Sequence, residues 1–480
     1  MKSFSQKFKS LAQNTLWFVL GTVGSKLISF FLMPLYTSIL STSDYGVIDL
    51  VTTTNTVLSY ILTLSIADAV LRFVIERPAE GQGICAYGFR TVLRGGLVLL
   101  VGIAVCWAIG LFQWPSYCYI FLLLEYVLIG CNNVALSHLR ATDRVRDVAV
   151  AGVLASFVTM SMIVLLLTVF RMGTVGYLIG SCLGTAVSCV YSLSRMRIPL
   201  GTFFQKPKVG EHTKKDMLKY STPLILNGVS WWINSGLDKY FLAFFCGTAG
   251  NGLYAAAGKL PGLLSMVHGV FAQAWTLSAI QDCEDNDKDG FFATTYSIYG
   301  SLLAICCCCL ILLNIPLATL LFAKDFFHAW EASSILMLST LFNAMCGILS
   351  GAIAKEKQNG ILAKTTVIAA VVNITLNYLL IPRVGIQGAA IATAVSFWFM
   401  WLLRFLKARK MMNLKLPVGR DLAVHALLVV QIVAEHTKSH LYGVQVVILA
   451  LVLLLYRKQV AQMVTVVLNL AKKMLRRNAL

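Results

Sequence analysis

The sequence predicts an all-α polytopic membrane protein of about fourteen transmembrane helices: two parallel six-helix lobes related by a pseudo-two-fold axis along the membrane normal, then two C-terminal helices. Three observations predict it. Hydrophobic residues make up 58% of the 480, charged residues 13%, and the mean hydropathy of +0.76 lies outside the range of ordinary soluble domains. An R-x-G-x-x-G-x-x-I landmark at Arg171, Gly173, Gly176 and Ile179 returns 212 positions later at Arg383, Gly385, Gly388 and Ile391; Asp44-Tyr45-Gly46-Val47-Ile48 has its counterpart 206 residues on in Gly250-Asn251-Gly252-Leu253-Tyr254. Finally, the 40 Lys and Arg sort by membrane side: 33 lie on the side of the N-terminus, 4 on the opposite side (Arg171, Lys324, Arg383, Lys438) and 3 inside spans.

Crossing about 30 Å of hydrocarbon takes roughly 20 apolar residues, and the segments follow in order. In the first half they are 12–40, 45–73, 86–112, 117–139, 148–170 and 174–194. The first follows Lys2, Lys7 and Lys9 and is too long for a cleaved signal, so it reads as an anchor. Asp44 opens the second after a short turn, and Arg90 and Arg94 stand at the start of the third. The Arg195–Lys219 connection, punctuated by Pro199, Pro207 and Gly210, is the longest and reads as a flexible linker. The second half repeats the order with 218–246, 251–280, 291–322, 331–354, 361–381 and 386–406; spans 419–435 and 441–456 lie outside the duplication. The expected domains are therefore an N-terminal lobe at 1–198, a linker at 199–217, a C-terminal lobe at 218–410, and spans 13 and 14 with a basic tail at 411–480.

The positive-inside rule places both termini in the cytoplasm. The net charge of +19 is thereby mostly an orientation signal and gives no ground for a nucleic-acid partner; Lys206, Lys208, Lys214, Lys215 and Lys219 also attract anionic headgroups. The thirteen cysteines, including the run Cys306 to Cys309, read as small apolar packing residues, so no metal and no disulfide are expected. No H-E-x-x-H, Walker loop or G-x-S-x-G occurs, which gives no support to hydrolase or ATPase chemistry and no cofactor. Outer turns such as 41–44, 113–116 and 247–250 leave no room for the loops of a membrane glycosyltransferase or polymerase. The acidic run Asp282, Glu284, Asp285, Asp287 and Asp289 reads as a solvated turn.

Polar residues inside the spans point to an aqueous cavity for an anion. A Lys at mid-span costs about 2.5–3.5 kcal/mol on insertion scales, so it faces water or a partner. Lys26 shares one helical face with Thr22 and Ser29; Lys259 lies eight residues into its span; Lys239 adjoins a stripe formed by Asn227, Trp231, Asn234 and Asp238 at 4-3-4 spacing. All three lysines and the stripe are cavity candidates, although Lys239 would equally suit a neighbouring acid. Asp68 and Arg72 have the i,i+4 order of a helix ion pair and are also substrate candidates. Arg90 and Arg94 could meet an incoming phosphate while orienting the chain. Glu125, deep in the fourth span, is the best proton or sodium candidate, with a buried neutral carboxyl as its structural alternative.

The opening third resembles the polysaccharide transporter branch of the multidrug/oligosaccharidyl-lipid/polysaccharide exporter superfamily, the Wzx-type flippases. Gly21-x-x-x-x-Lys26, then Pro34-Leu35-Tyr36-Thr37-x-x-Leu40-x-x-x-Asp44-Tyr45-Gly46, and Arg72-Phe73 carry the likeness. Asp238-Lys239-Tyr240, Gly252-x-Tyr254 and Lys259-Leu260 are similar to that family's second-lobe pattern. The resemblance implies a bacterial cytoplasmic-membrane flippase that moves an undecaprenyl-pyrophosphate-linked oligosaccharide to the outer leaflet, with a polysaccharide polymerase and chain-length machinery as candidate partners. Lipid II flippases carry an Arg-Asp pair in the first span where this chain has Leu32-Met33; at the 206-residue offset these positions match Asp238 and Lys239. A lipid II or sporulation-type flippase and a cation-coupled multidrug exporter are the alternatives.

Overall fold

Backbone groups in hydrocarbon find no water, so a chain this apolar must satisfy them within helices. The computed structural model describes residues 30–110, 114–196, 198–199, 201, 209–281, 290–355, 358–411, 416–437, 439–463 and 465, and among them no strand occurs. The chain divides into two compact units, Met1–Gly252 and Leu253–Leu480.

The first unit contains α1 (Met33–Ile39), α2 (Thr42–Leu62), α3 (Ile66–Glu76), α4 (Gly81–Ala108), α5 (Ser116–Ala141), α6 (Val145–Thr168), α7 (Gly173–Met196) and the greater part of α8 (Glu211–Ala257). Helix α5 is its hub, packing against α2, α3, α4, α6 and α7. The second unit contains α9 (Lys259–Gln281), α10 (Phe291–Leu312), α11 (Asn314–Leu321), α12 (Trp330–Lys355), α13 (Asn359–Met411), α14 (Val418–Glu435) and α15 (Tyr442–Leu455). Its hub is α12, which touches α9, α10, α11, α13 and α14. Both hubs are the fourth span of their half, as a duplication requires.

Seven described helices are long and apolar enough to cross a membrane, or nine when two bent pairs each count as one span. One expected span is broken: α2 and α3 meet at 49°, where Leu64 and Ser65 take φ of +55° and +49°. Consecutive left-handed residues with side chains are sterically disfavoured and end the helix there. The ninth span is likewise interrupted at Leu313, after which α11 begins. The end of the expected flexible linker is helical instead, since α8 starts at Glu211; Glu211–Lys214 and His212–Asp216 contacts at i,i+3 and i,i+4 support its first turns.

The repeated landmarks acquire a physical reason. Gly173 and Gly385 take φ of +53° and +57° at the tight reversals before the sixth and twelfth spans, and Arg171 is also left-handed. In the second copy the reversal is tight enough that α13 runs on as one element broken at Val384 and Gly385. The other landmark marks a reciprocal close approach within the first unit. A Cβ on Gly46 would lie 1.8 Å from the Thr248 carbonyl oxygen, and one on Gly252 would lie 1.8 Å from that of Thr42. Thr42 and Thr248 share the 206-residue offset of the glycines, so the contact has its own local two-fold character. Asn251 Nδ2 donates to the Gly46 carbonyl at 2.9 Å across it.

Candidate functional site

The first leg of α8 runs antiparallel to α2 and α3 through the first unit. Tyr220 stacks edge-on to Phe73, Trp232 Nε1 donates to the Thr53 carbonyl at 2.9 Å, and Ser43 and Thr248 share a hydroxyl contact of 2.6 Å. Midway lies the one described ion pair joining these two legs inside the apolar zone: Lys239 Nζ is 2.9 Å from Asp49 Oδ1 and 3.1 Å from Thr53 Oγ1. Asn251 Nδ2 approaches Asp49 Oδ2 at 3.2 Å, and both charged side chains are about four-fifths enclosed. The Lys239 ammonium is thus engaged by an acid within its own unit.

The other residues singled out from the sequence fall in different places. Of the α8 stripe, Asn227 and Trp231 are exposed in the first unit while Asn234 and Asp238 are buried; Asn234 donates to the Ser230 carbonyl, and the Asp238 carboxylate accepts from the Lys239 backbone N–H. Lys259 is half-buried at the first position of α9 in the second unit. Lys26 lies outside the described residues, as does the acidic run from Asp282 to Asp289. Arg72 does not pair with Asp68. It bonds Glu76 one turn further on at 2.8 Å and lays its guanidinium over Tyr220, because the i,i+4 geometry of a helix serves both neighbours and Asp68 faces Arg140.

Arg90 and Arg94, one turn apart on α4, line a cavity of about 910 Å³ with Lys214, Lys215, His212, Glu211, Tyr87 and Leu218. Lys214 is bridged to Glu211 at 2.6 Å, which leaves the lining net positive. Beside it, Arg77 bonds Thr213 Oγ1 at 2.5 Å and Asp216 at 2.9 Å, clamping the start of α8 to the end of α3. Sequence reading located Arg90, Arg94 and the basic linker separately; only the helical start of α8 brings them onto one concave surface.

Glu125 is buried at the heart of the first unit, where Asn55 Nδ2 donates to Oε2 at 2.9 Å and Ser181 Oγ to Oε1 at 3.3 Å. Both donors are neutral, and Asn55 Oδ1 has no partner. In the second unit an apolar groove of about 860 Å³ runs between α12, the last leg of α13 and α14, with Phe342, Ile391, Trp398, Val429 and Val433 among its walls. Spans 13 and 14, outside the duplication, gave no hint of it.

The motif residues that carry the family resemblance form a packing junction. Ser41 and Asp44 cap α2 reciprocally, and Asp44 Oδ1 accepts from Thr174 Oγ1 at 2.9 Å, joining the two landmarks of the first repeat. Tyr36 and Tyr45 set their rings edge-on to Tyr177 at 5.3 and 6.5 Å.

A family model described as "Polysaccharide biosynthesis protein" matches residues 11–281. Among characterised proteins, the chain is 23% identical over 217 residues to the probable low-salt glycan biosynthesis flippase Agl15 of Haloferax volcanii; the match covers 45% of each chain, less than half the relative's length. Among solved structures, the lipid II flippase MurJ in an inward closed conformation aligns over 94% of this chain and 100% of its own, with a TM-score of 0.69 at 14% identity. An inward-facing multidrug resistance MATE transporter of the MOP superfamily aligns over 81% and 94%, with 0.64 at 14%. A MOP superfamily transporter from Pyrococcus furiosus, described as having a binding pocket of reversed polarity, gives 84% and 96%, with 0.60 at 15%. At such identities the likeness is one of fold alone: a multi-pass, all-helical architecture like that of the transporters just named.

Proposed function

From the premise that the chain belongs to the polysaccharide biosynthesis protein family, we propose that it is a flippase for a lipid-linked glycan, specifically an undecaprenyl-pyrophosphate-linked oligosaccharide carried from the cytoplasmic to the outer leaflet. The observation that carries the reading is the basic cavity of Arg90, Arg94, Lys214 and Lys215. With both termini cytoplasmic, as the charge asymmetry indicates, this cavity opens on the side where the lipid-linked sugar is made. Moving a pyrophosphate unaided through hydrocarbon incurs a desolvation cost of many kcal/mol, so a carrier must offer positive charge and a polar route. Guanidinium groups one helical turn apart suit a doubly charged phosphate, because each forks to two oxygens. The isoprenoid tail needs no polar route, and the apolar groove of the second unit is a surface on which it can stay in hydrocarbon. The two halves of the duplication would then move in alternating access, with Lys26 and Lys259 following the headgroup across.

A cation-coupled exporter remains the second reading, and Glu125 is the observation that favours it: a buried carboxylate with only neutral donors is suited to taking up a proton or sodium ion. Deletion of the gene decides between them. The flippase reading expects lipid-linked sugar to accumulate on the cytoplasmic leaflet, surface polysaccharide to fall and drug sensitivity to stay level. Normal outer-leaflet labelling of the lipid-linked sugar together with raised sensitivity to cationic drugs would overturn it. Arg90→Ala combined with Arg94→Ala should reproduce the accumulation with protein amount unchanged.

A further inference from the structure

The break in the second span gathers oxygen-bearing side chains around one small space. Leu64 and Ser65 are both left-handed, so α2 stops at Leu62 and α3 restarts at Ile66, at 49° to it. Beside the break, within the first unit, lies a cavity of about 90 Å³ whose lining includes Ser59, Thr63, Ser65, Asp68 and Asn133. The Ser59 and Ser65 hydroxyl oxygens are buried without a hydrogen-bond partner, and Ser65 as a whole is only 6% exposed. Thr63 Oγ1 gives its hydrogen to the Ser59 carbonyl, so only its lone pairs are left for the cavity. Among the described residues the Asp68 carboxylate accepts no hydrogen bond and joins no ion pair within 4 Å. Arg140 attracts it from farther away, and that guanidinium is not part of the lining.

Buried hydroxyls without partners are costly and call for something that satisfies them. A proton on Asp68 would reach one neighbouring oxygen, whereas a cation is shared by all of them at once. A carboxylate with hydroxyl and amide oxygens is the donor set of a hard cation. Its charge selects the valence. The lining holds one carboxylate, which balances one positive charge, while calcium and magnesium sites draw on several carboxylates or on phosphates. Size agrees, since a water takes up about 30 Å³ of the liquid, so the cavity has room for a small ion with a water or two and none for a sugar or a lipid headgroup. Interrupted helices also supply such sites in membrane proteins generally, because the chain at the break turns its oxygens away from its own helix.

We propose that this cavity binds a hard monovalent cation of sodium's kind, held by the Asp68 carboxylate and the Ser59, Thr63 and Ser65 hydroxyls at the break of the second span. The site stands apart from the flippase reading and is tested without any transported substrate. Binding of radiolabelled sodium to the purified full chain in lipid nanodiscs, with choline making up the ionic strength, gives the measurement. The wild type should bind sodium saturably, displaced by unlabelled sodium and not by choline. Asp68→Asn, which keeps the shape and removes the charge, should weaken binding by more than about tenfold, the loss that even outer-shell partners of a metal ion cause. Ser59→Ala with Ser65→Ala should also weaken it, and Glu125→Gln should leave it unchanged. Thermal midpoints in choline equal to that of the wild type establish that each variant is folded. The absence of saturable binding in the wild type, or its survival in Asp68→Asn, overturns the proposal, as does loss of binding in Glu125→Gln alone, which moves the ion to that carboxylate. Sodium bound only after Arg140→Gln would make the guanidinium the true partner of Asp68 and overturn it likewise.

Discussion

Replacing Asp49 by Asn tests whether Lys239 is structural or a substrate ligand. The side chain keeps its shape and loses only its charge, so the perturbation removes the carboxylate that sits 2.9 Å from the Lys239 ammonium. At an effective dielectric of about 20, two unit charges at that separation attract by about 6 kcal/mol. Most of this is cancelled by the cost of taking both out of water, but the single variant does not recover that cost, because it strands the lysine. Stranding one partner of a buried pair costs about 3–5 kcal/mol. Thr53 Oγ1 still accepts from Lys239 at 3.1 Å, so the lower figure of about 3 kcal/mol is expected. Lys239→Met should cost a similar amount, and the Asp49→Asn, Lys239→Met double variant clearly less than the sum. Unfolding in mixed micelles titrated with denaturing detergent measures all four corners of the cycle. A coupling below about 0.5 kcal/mol would mean the two side chains act independently and would refute the structural pair. In that event Lys239 returns to the cavity as a cation for the phosphate, and Asp49→Asn should leave transport intact.

Lys26→Ala or Lys259→Ala should abolish transport while leaving membrane amount near normal, with Arg restoring part of it; full complementation of a deletion strain by the Ala variants would remove the support for cationic contacts within the spans. Alkaline phosphatase fused after residue 206 should be inactive and after residue 249 active, and the reverse pattern would overturn the orientation drawn from the 33 to 4 charge asymmetry. Gly46→Ala places a methyl group 1.8 Å from the Thr248 carbonyl and should destabilise by at least the upper end of about 1–3 kcal/mol, read as a lowered thermal midpoint in detergent; Gly102→Ala, with open space around it, should change nothing.

The fold was legible because its two strongest signals are physical necessities. Long apolar runs must be helices in lipid, and the duplicated R-x-G-x-x-G had to recur because Gly173 and Gly385 supply the left-handed φ of equivalent reversals. The break at Leu64 and Ser65 was not legible, since neither residue favours that conformation and only tertiary packing holds it. The site was half legible. Their places in long apolar runs showed that Lys239 and Glu125 were inside, but partners such as Asp49 and Asn55 come from other helices and no spacing rule reaches them. Arg72 shows the same limit at short range, where Asp68 and Glu76 both stand four residues away and Tyr220 tips the side chain to one of them. The apolar groove beside α14 was not legible because that helix lies outside the repeat, so no counterpart drew attention to it.

Under the flippase proposal, these partnerships bear on where a pyrophosphate would first be held. A cation deep in a unit must carry its own counter-ion, as Lys239 does with Asp49, or its burial would cost several kcal/mol. A cation at the aqueous rim is already hydrated and can wait for an anion, which is the situation of Arg94 and Lys215, both exposed on the basic cavity. Capture at the rim and stabilisation within a unit therefore differ in their response to salt. Screening shortens from about 10 Å at 0.1 M to about 3 Å at 1 M, so binding of a polyprenyl pyrophosphate to the full chain in nanodiscs should weaken steeply across that range. Thermal stability, which includes the enclosed Lys239–Asp49 pair, should move little over the same range. Arg94→Gln with Lys215→Gln should flatten the salt dependence of binding without altering stability. Binding that is indifferent to salt in the wild type would place first capture away from the Arg90–Lys215 cavity and refute its role in it.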